Sequence, residues 1–196
     1  MSALREPTPA CPDVVLMGGC TGGGAYLLRI RVERTVEVAF GRFKGGKRIR
    51  VPAGLYVYVG SARAEKGPAS LPLRLIRHAT RSLGKPHHRI RDRLVKVVIC
   101  HAMVPSGLTP PVTKRLHWHV DHLLDRTEAE ITGVIAVRTR RDLEPVFAEL
   151  LERDPCARAL ERGLGASDWP GATHLYRVEA QRTWWDRLPD RLVMML

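Results

Sequence analysis

Three stretches of this chain, AYLLRIRVE (25–33), LYVYVG (55–60) and ITGVIAVRT (131–139), are dense in β-branched and aromatic residues and read as strands. Segments with helical spacing lie between and after them. Ser70 can cap a helix from Leu71 to about Leu83, with Pro72 in its first turn and Gly84 beyond its end. A second helix, Thr113 to about Arg126, puts Leu116, Val120, Leu123 and Leu124 on one face. Asp142 can cap a third, ending near Arg153, whose apolar side is Leu143, Val146, Phe147, Leu150 and Leu151. Strands interleaved with amphipathic helices restrict the chain to the α/β (α+β) class.

Weaker signals fill in the rest. VEVAFGR (36–42) is expected as a strand joined to 25–33 by a short turn at Arg34-Thr35, and RIRVP (48–52) as another. Residues 85–93 are very basic and suit a helix, LVKVVICHAMV (94–104) looks β-like, and THLYRVE (173–179) is a strand. Residues 1–23, with three prolines and then Gly18, Gly19, Gly22 and Gly23, read as an irregular leader. Residues 24–179 would form the domain. The segment 180–196 carries Trp184, Trp185, Leu188, Leu192, Val193, Met194 and Met195, too apolar for a free tail. It is expected to dock on this domain, on a second copy in a homodimer, or on a protein partner.

A hydrophobic fraction of 44% over 196 residues suffices for a core and argues against wholesale disorder. No apolar run approaches the roughly 20 residues of a membrane span, and no signal peptide is evident. The four cysteines form no C-x-x-C pair, so the default is a cytoplasmic protein with reduced thiols. The net charge of +12 is polarised. Residues 29–115 hold 20 Lys/Arg against four acids, whereas residues 116–196 hold 11 basic and 14 acidic residues. Codon bias towards Arg would spread the excess along the chain, so its concentration points to a polyanion partner, namely nucleic acid.

Three constellations could carry chemistry. Gly24-Ala25-Tyr26 and Tyr58-Val59-Gly60 each place a tyrosine on an expected strand. Arg74 and His78 stand one turn apart on the next helix, with Arg77 beside them. His117-Trp118-His119-Val120-Asp121-His122 follows later. Taken singly, each has a plainer explanation: strand aromatics, a solvated basic face, a structural histidine. Glu144 alone is an acid favoured by a helix dipole, and Trp118 reads as core.

Taken together and in order, these residues resemble the GIY-YIG nuclease superfamily. The phrases AGLYVYVGSA, LRLIRH, HWHVDHLL, GLGASD and THLY resemble a largely uncharacterised archaeal and bacterial branch of it, over residues 24–178. Residues 86–113 look like an insertion. Trp169 and His122 stand where that branch usually has Cys and Tyr. The resemblance implies a small antiparallel central sheet flanked by helices, in the order β-β-α-α-β-α. It also implies a metal-dependent endonuclease acting on nucleic acid, with DNA the expected polymer. Tyr26, Tyr58, Arg74 and His78 would be catalytic, and Glu144 would hold one Mg²⁺ or Mn²⁺. Arg74 can present a planar fork to phosphate, a tyrosine would position or deprotonate the water, and His78 would orient a tyrosine or protonate the leaving oxygen. Arg63, Arg77, Arg81, Lys85 and Arg89 are the expected nucleic-acid contacts. His117, His119, Asp121, Ser167, Asp168 and His174 are candidate accessory residues, His117 and Asp121 as an i, i+4 couple on a helix. A non-catalytic nucleic-acid-binding accessory is the alternative. A zinc hydrolase built on H-x-H-x-D-H is a third reading, disfavoured because the motif lies within an amphipathic helix.

Overall fold

The structure is a computed structural model that describes residues 13–19, 21–105, 107–165 and 173–195. Ser167, Asp168 and Trp169 lie outside the described residues. The chain is mixed α/β. Strands β1 (Val14–Gly18), β2 (Gly24–Val32), β5 (Gly54–Ala62), β6 (Ala129–Arg138), β7 (Ala157–Ala159) and β8 (Leu175–Val178) make one sheet in the order β1-β6-β2-β5-β8-β7. Only the β1–β6 pair is parallel. The three strongest strand signals become its three central strands, because a strand buried on both faces needs a near-continuous apolar run. Tyr26, Leu28, Ile30 and Val32 of β2 point into one core, and Ala25 and Leu27 into the other. Helices α1 (Leu71–His78), α2 (Arg91–Cys100) and α3 (His119–Leu124) cover the first face. Helices α4 (Glu144–Glu152), α5 (Arg182–Asp186) and α6 (Leu188–Val193) cover the second.

Several expectations are corrected. The leader is not irregular throughout, since Val14–Gly18 runs beside β6 as an edge strand. No hairpin joins 25–33 to 36–42. Central β2 pairs with β5 and β6, while β3 (Val36–Ala39) alternates buried and exposed residues and pairs with β4 (Arg48–Val51) in a separate ribbon. The β-like run 94–104 is instead largely α2, which buries Arg91, Leu94 and Val98 at helical spacing. Residues 85–90, expected helical, precede that helix. The helix expected from Thr113 begins only at His119, because the Asp121 carboxylate accepts the backbone N–H groups of His117 and Trp118 and so caps the start there. Leu116, expected on its apolar face, is exposed.

Helix α1 stops at His78 rather than near Leu83, because the Asp125 carboxylate draws off the Ser82 amide and hydroxyl. Asp142 does not cap α4. It pairs with Arg63, and the helix starts at Glu144 followed by Pro145. The C-terminal segment packs on the domain itself, with Trp185, Leu188 and Leu192 buried in the second core. No helix among the described residues is long and apolar enough to cross a membrane.

Candidate active site

Tyr26 on β2 lies opposite Gly60 on β5. A Cβ on residue 60 would sit 2.5 Å from both Cζ and Oη of Tyr26. The phenol therefore lies across bare backbone, which gives the glycine of the Y-V-G motif a steric reason. Tyr58 shares that sheet face, its ring centroid 6.3 Å from that of Tyr26. Helix α1 packs on the same face and brings in His78 from its last turn. The Tyr26 hydroxyl is 2.8 Å from His78 Nε2, and the Tyr58 and His78 ring centroids are 6.0 Å apart. Burial, then the neighbouring Tyr58, push the Tyr26 hydroxyl well above its ordinary pKa. Burial, then Glu144, do the same for Tyr58. Burial also lowers His78 to about 4, against the attraction of Asp121, so its imidazole is neutral at pH 7.

Beyond His78 stands Asp121, fully buried, with Oδ1 3.3 Å from His78 Nδ1. Its carboxylate also accepts from Arg77 Nη1 at 3.0 Å and Lys114 Nζ at 3.1 Å. Burial opposes its ionisation, but the contacts to His78, Lys114 and Arg77 outweigh that and hold its pKa far below the usual carboxylate range.

Arg74 precedes His78 by one helical turn. Its guanidinium lies 4.3 Å from the Trp118 ring centroid, and that of Arg77 lies 4.4 Å from the same ring. Trp118 is thus half-buried, packed against the first core and at the same time a platform for two arginines. Arg74 Nη1 donates to the Ser61 carbonyl at 2.5 Å, and its buried Nε makes no hydrogen bond.

Ser61 joins the two faces of the sheet. Its carbonyl meets Arg74 of α1 on one side, and its hydroxyl donates to Glu144 of α4 on the other. The other Glu144 oxygen lies 3.0 Å from His174 Nδ1. Burial raises the Glu144 pKa, but His174 and Ser61 reverse this and lower it, so the carboxylate is ionised at neutral pH. A single ionised carboxylate held by a hydroxyl and an imidazole can bind a hard divalent cation that keeps most of its waters. Beside Ser61 a pocket of about 290 Å³ opens, bordered by Gly23, Arg63, Glu65, Arg140 and Asp142.

The structure thus gathers Tyr26, Tyr58, Arg74, His78, Glu144, Asp121 and His174 at one end of the β2–β5 pair. Ser61 and Lys114, unassigned from sequence, join them, as does Trp118, expected only as core. The expected nucleic-acid contacts scatter. Arg63 is exposed at the rim of the pocket. Arg77 serves Asp121 and the Arg115 carbonyl, and Lys85 pairs with Asp125. Arg81 is a correction: it is 3% exposed and spends its guanidinium on the Leu124, Pro86 and Ala129 carbonyls and on Glu130, so it locks the fold instead of meeting a ligand. Arg89 lines a larger groove of about 1000 Å³ near Arg31 and Tyr56, at the far end of the β2–β5 pair.

The histidine motif divides. His117 lies outside the helix, exposed, so it forms no helical couple with Asp121. His119 Nδ1 accepts the Gly165 N–H at 3.2 Å. With Asp121 taken up by cations, H-x-H-x-D-H does not converge, and no group of three or more His, Cys, Asp or Glu positioned for a metal occurs among the described residues.

Residues 25–193 match the family model described as "Domain of unknown function DUF123". No curated protein and no solved structure matches the chain. A match spanning all six helices, every sheet strand but β1 and every described residue of this cluster except Gly23 and Gly24 settles membership: the chain belongs to the DUF123 family.

Proposed function

We propose that this protein is a metal-dependent endonuclease of GIY-YIG type that hydrolyses phosphodiester bonds in nucleic acid, with DNA the expected polymer. The observation that carries the reading is the buried Tyr26–His78 hydrogen bond, set beside Tyr58, Arg74 and the ionised Glu144. The residues fit one Mg²⁺ or Mn²⁺ held by Glu144, with Ser61 and His174 orienting the carboxylate. When bound, that ion would relieve charge on the scissile phosphate. Arg74, seated over Trp118 with a free Nε, offers donors to phosphate oxygens. Tyr26 removes a proton from the attacking water while His78 Nε2 takes the tyrosine's own proton, which a neutral imidazole can accept and a raised tyrosine pKa demands. Tyr58, on the same face, positions the water. Exposed Arg63 and Arg140 at the pocket rim meet the backbone of the polymer.

One observation favours a second reading, a non-catalytic nucleic-acid-binding accessory of the same fold. Tyr26 and Tyr58 are only 1% and 4% exposed, so a substrate must part the surface to reach them. Cleavage assays with Mg²⁺ or Mn²⁺ on single-stranded, duplex, flap and damaged DNA and on RNA separate the two. Cleavage is expected, with a loss of at least a hundredfold in Tyr58→Phe and Glu144→Ala and binding retained. Salt-sensitive binding without turnover on every substrate would establish the accessory reading instead.

A further inference from the structure

The residues around Asp121 outnumber what a capping acid needs. Its carboxylate accepts from four donors, Lys114 Nζ, Arg77 Nη1 and the backbone N–H groups of His117 and Trp118, and its Oδ1 also lies 3.3 Å from His78 Nδ1, a buried atom with no other partner and no well-aligned hydrogen bond. A carboxylate offers about four lone-pair sites and, ionised, donates nothing. An unprotonated Nδ1 at 3.3 Å would set lone pair against lone pair inside a dry core. The contact favours the imidazole proton on Nδ1, which leaves Nε2, on the opposite edge, as an acceptor. The Tyr26 hydroxyl, 2.8 Å away, is then the donor.

We propose that Asp121 is a positioning residue that fixes His78 in its Nδ1–H tautomer and so makes His78 the base that draws the proton from Tyr26. The inference rests on the endonuclease reading of the same site. The groups facing His78 are Tyr26 and Tyr58 from the sheet, Arg77 from α1, Lys114 from the segment before α3, and Trp118 and Asp121 at the start of α3. Lys114 and Arg77 keep Asp121 ionised, so its charge is in place before any substrate arrives. In the step itself the water oxygen bonds to phosphorus and the bond to the leaving oxygen breaks. The water proton passes to Tyr26, and the tyrosine proton passes to Nε2. The resulting imidazolium sits against the Asp121 carboxylate, which stabilises it without taking the proton. The leaving oxygen takes a proton from solvent, and His78 returns its own to solvent afterwards. Asp121 thus does not touch the phosphate, and its substitution should act on the rate rather than on substrate affinity.

Two measurements test this. The first reads the ¹⁵N shifts of His78 in the free, full-length protein at pH 7. The Nδ1–H tautomer, with Nε2 unprotonated, is expected, and an Nε2–H tautomer overturns the proposal with no variant needed. The second compares wild type with Asp121→Asn, whose amide can present either edge to His78. In the variant the Nε2–H tautomer should appear, and kcat should fall by roughly a hundredfold or more at unchanged KM. Full kcat in a folded Asp121→Asn variant would sink the positioning role. Should Asp121→Asn fail to fold, Lys114→Met keeps Asp121 and its contact to His78, so the Nδ1–H tautomer should survive there, and its loss would count against Asp121 as the anchor. If wild type cleaves no nucleic acid, the endonuclease reading fails, and the tautomer in the free protein still decides whether Asp121 sets His78.

Discussion

A methyl group on residue 60 would occupy the space now filled by the Tyr26 phenol. Gly60→Ala is therefore a probe of geometry that leaves every functional group in place. The ring must swing away or the strands must part. The expected cost is about 1–3 kcal/mol of stability, typical of forcing one carbon into a packed core. The Tyr26–His78 bond should be lost, and under the endonuclease reading cleavage should drop by at least a hundredfold. Thermal melts and single-turnover rates read the two effects, and a variant that cleaves at the wild-type rate would show that the 2.8 Å contact is dispensable. At this scale the sequence was informative where chemistry follows a motif and silent where it follows a coincidence of backbone and side chain. Tyr26, Tyr58, Arg74, His78 and Glu144 could be picked out as a set from their types and order, and the fold brings them near one another. Ser61 could not be picked out, since its place depends on a carbonyl used on one face of the sheet and a hydroxyl used on the other. Lys114 gave no signal either, because nothing in a sequence marks a lysine whose side chain will be 1% exposed against a buried aspartate.

At the scale of elements, the end of β5 is the hinge of the arrangement. Helix α1 lies on one face of the sheet and α4 on the other, and Ser61 is where their side chains meet the same residue. Removing its hydroxyl frees one Glu144 oxygen but leaves the carbonyl that holds Arg74. Ser61→Ala should therefore keep its phosphate contacts and weaken the cation. Under the endonuclease reading, the Mg²⁺ concentration for half-maximal cleavage should rise about tenfold or more, as for other lost orienting contacts. Titrating metal at saturating substrate checks this, and an unchanged midpoint would remove Ser61 from the metal's surroundings. Element types were read well for the long central strands and poorly for short or mixed runs. LVKVVICHAMV is rich in β-branched residues, yet Leu94 and Val98 line one side of a helix that packs beside β1. Its propensity and its period disagreed, and tertiary packing decided. The helix before Asp121 was read too long because Leu116 has the right spacing, whereas the carboxylate cap three residues into α3 sets the boundary.

At the scale of the whole molecule, the basic excess divides into charge that faces outward and charge spent inside. Arg81, Arg91 and Lys114 are buried and hold the connections around α1 and α3 together. The polyanion argument therefore rests on the exposed remainder, such as Arg63, Arg89 and Lys96. The buried titratable groups make the fold sensitive to acid in a predictable direction. His78 has its folded pKa lowered from 6.5 to about 4 by burial. His88 and His119 are lowered as well, burial being the largest cause in each. A base whose folded pKa lies below its unfolded value is neutral in the native state while the unfolded chain takes up a proton. Stability is therefore full above pH 6.5 and is lost as pH falls towards 4. For His78 alone the loss is roughly 2 kcal/mol at pH 5, or about 4–8 °C in Tm for a chain of this size. Carboxylates held low by their partners, Asp121 among them, follow in the same direction at lower pH. His78→Gln keeps a polar group beside Tyr26 but cannot take up the proton. Its Tm should fall less than that of wild type between pH 7 and pH 5, by an amount in that range. Parallel Tm profiles for the two proteins would mean that His78 is as easily protonated in the fold as in the open chain. That would remove the neutral imidazole on which both the tyrosine relay and the Asp121 anchor depend.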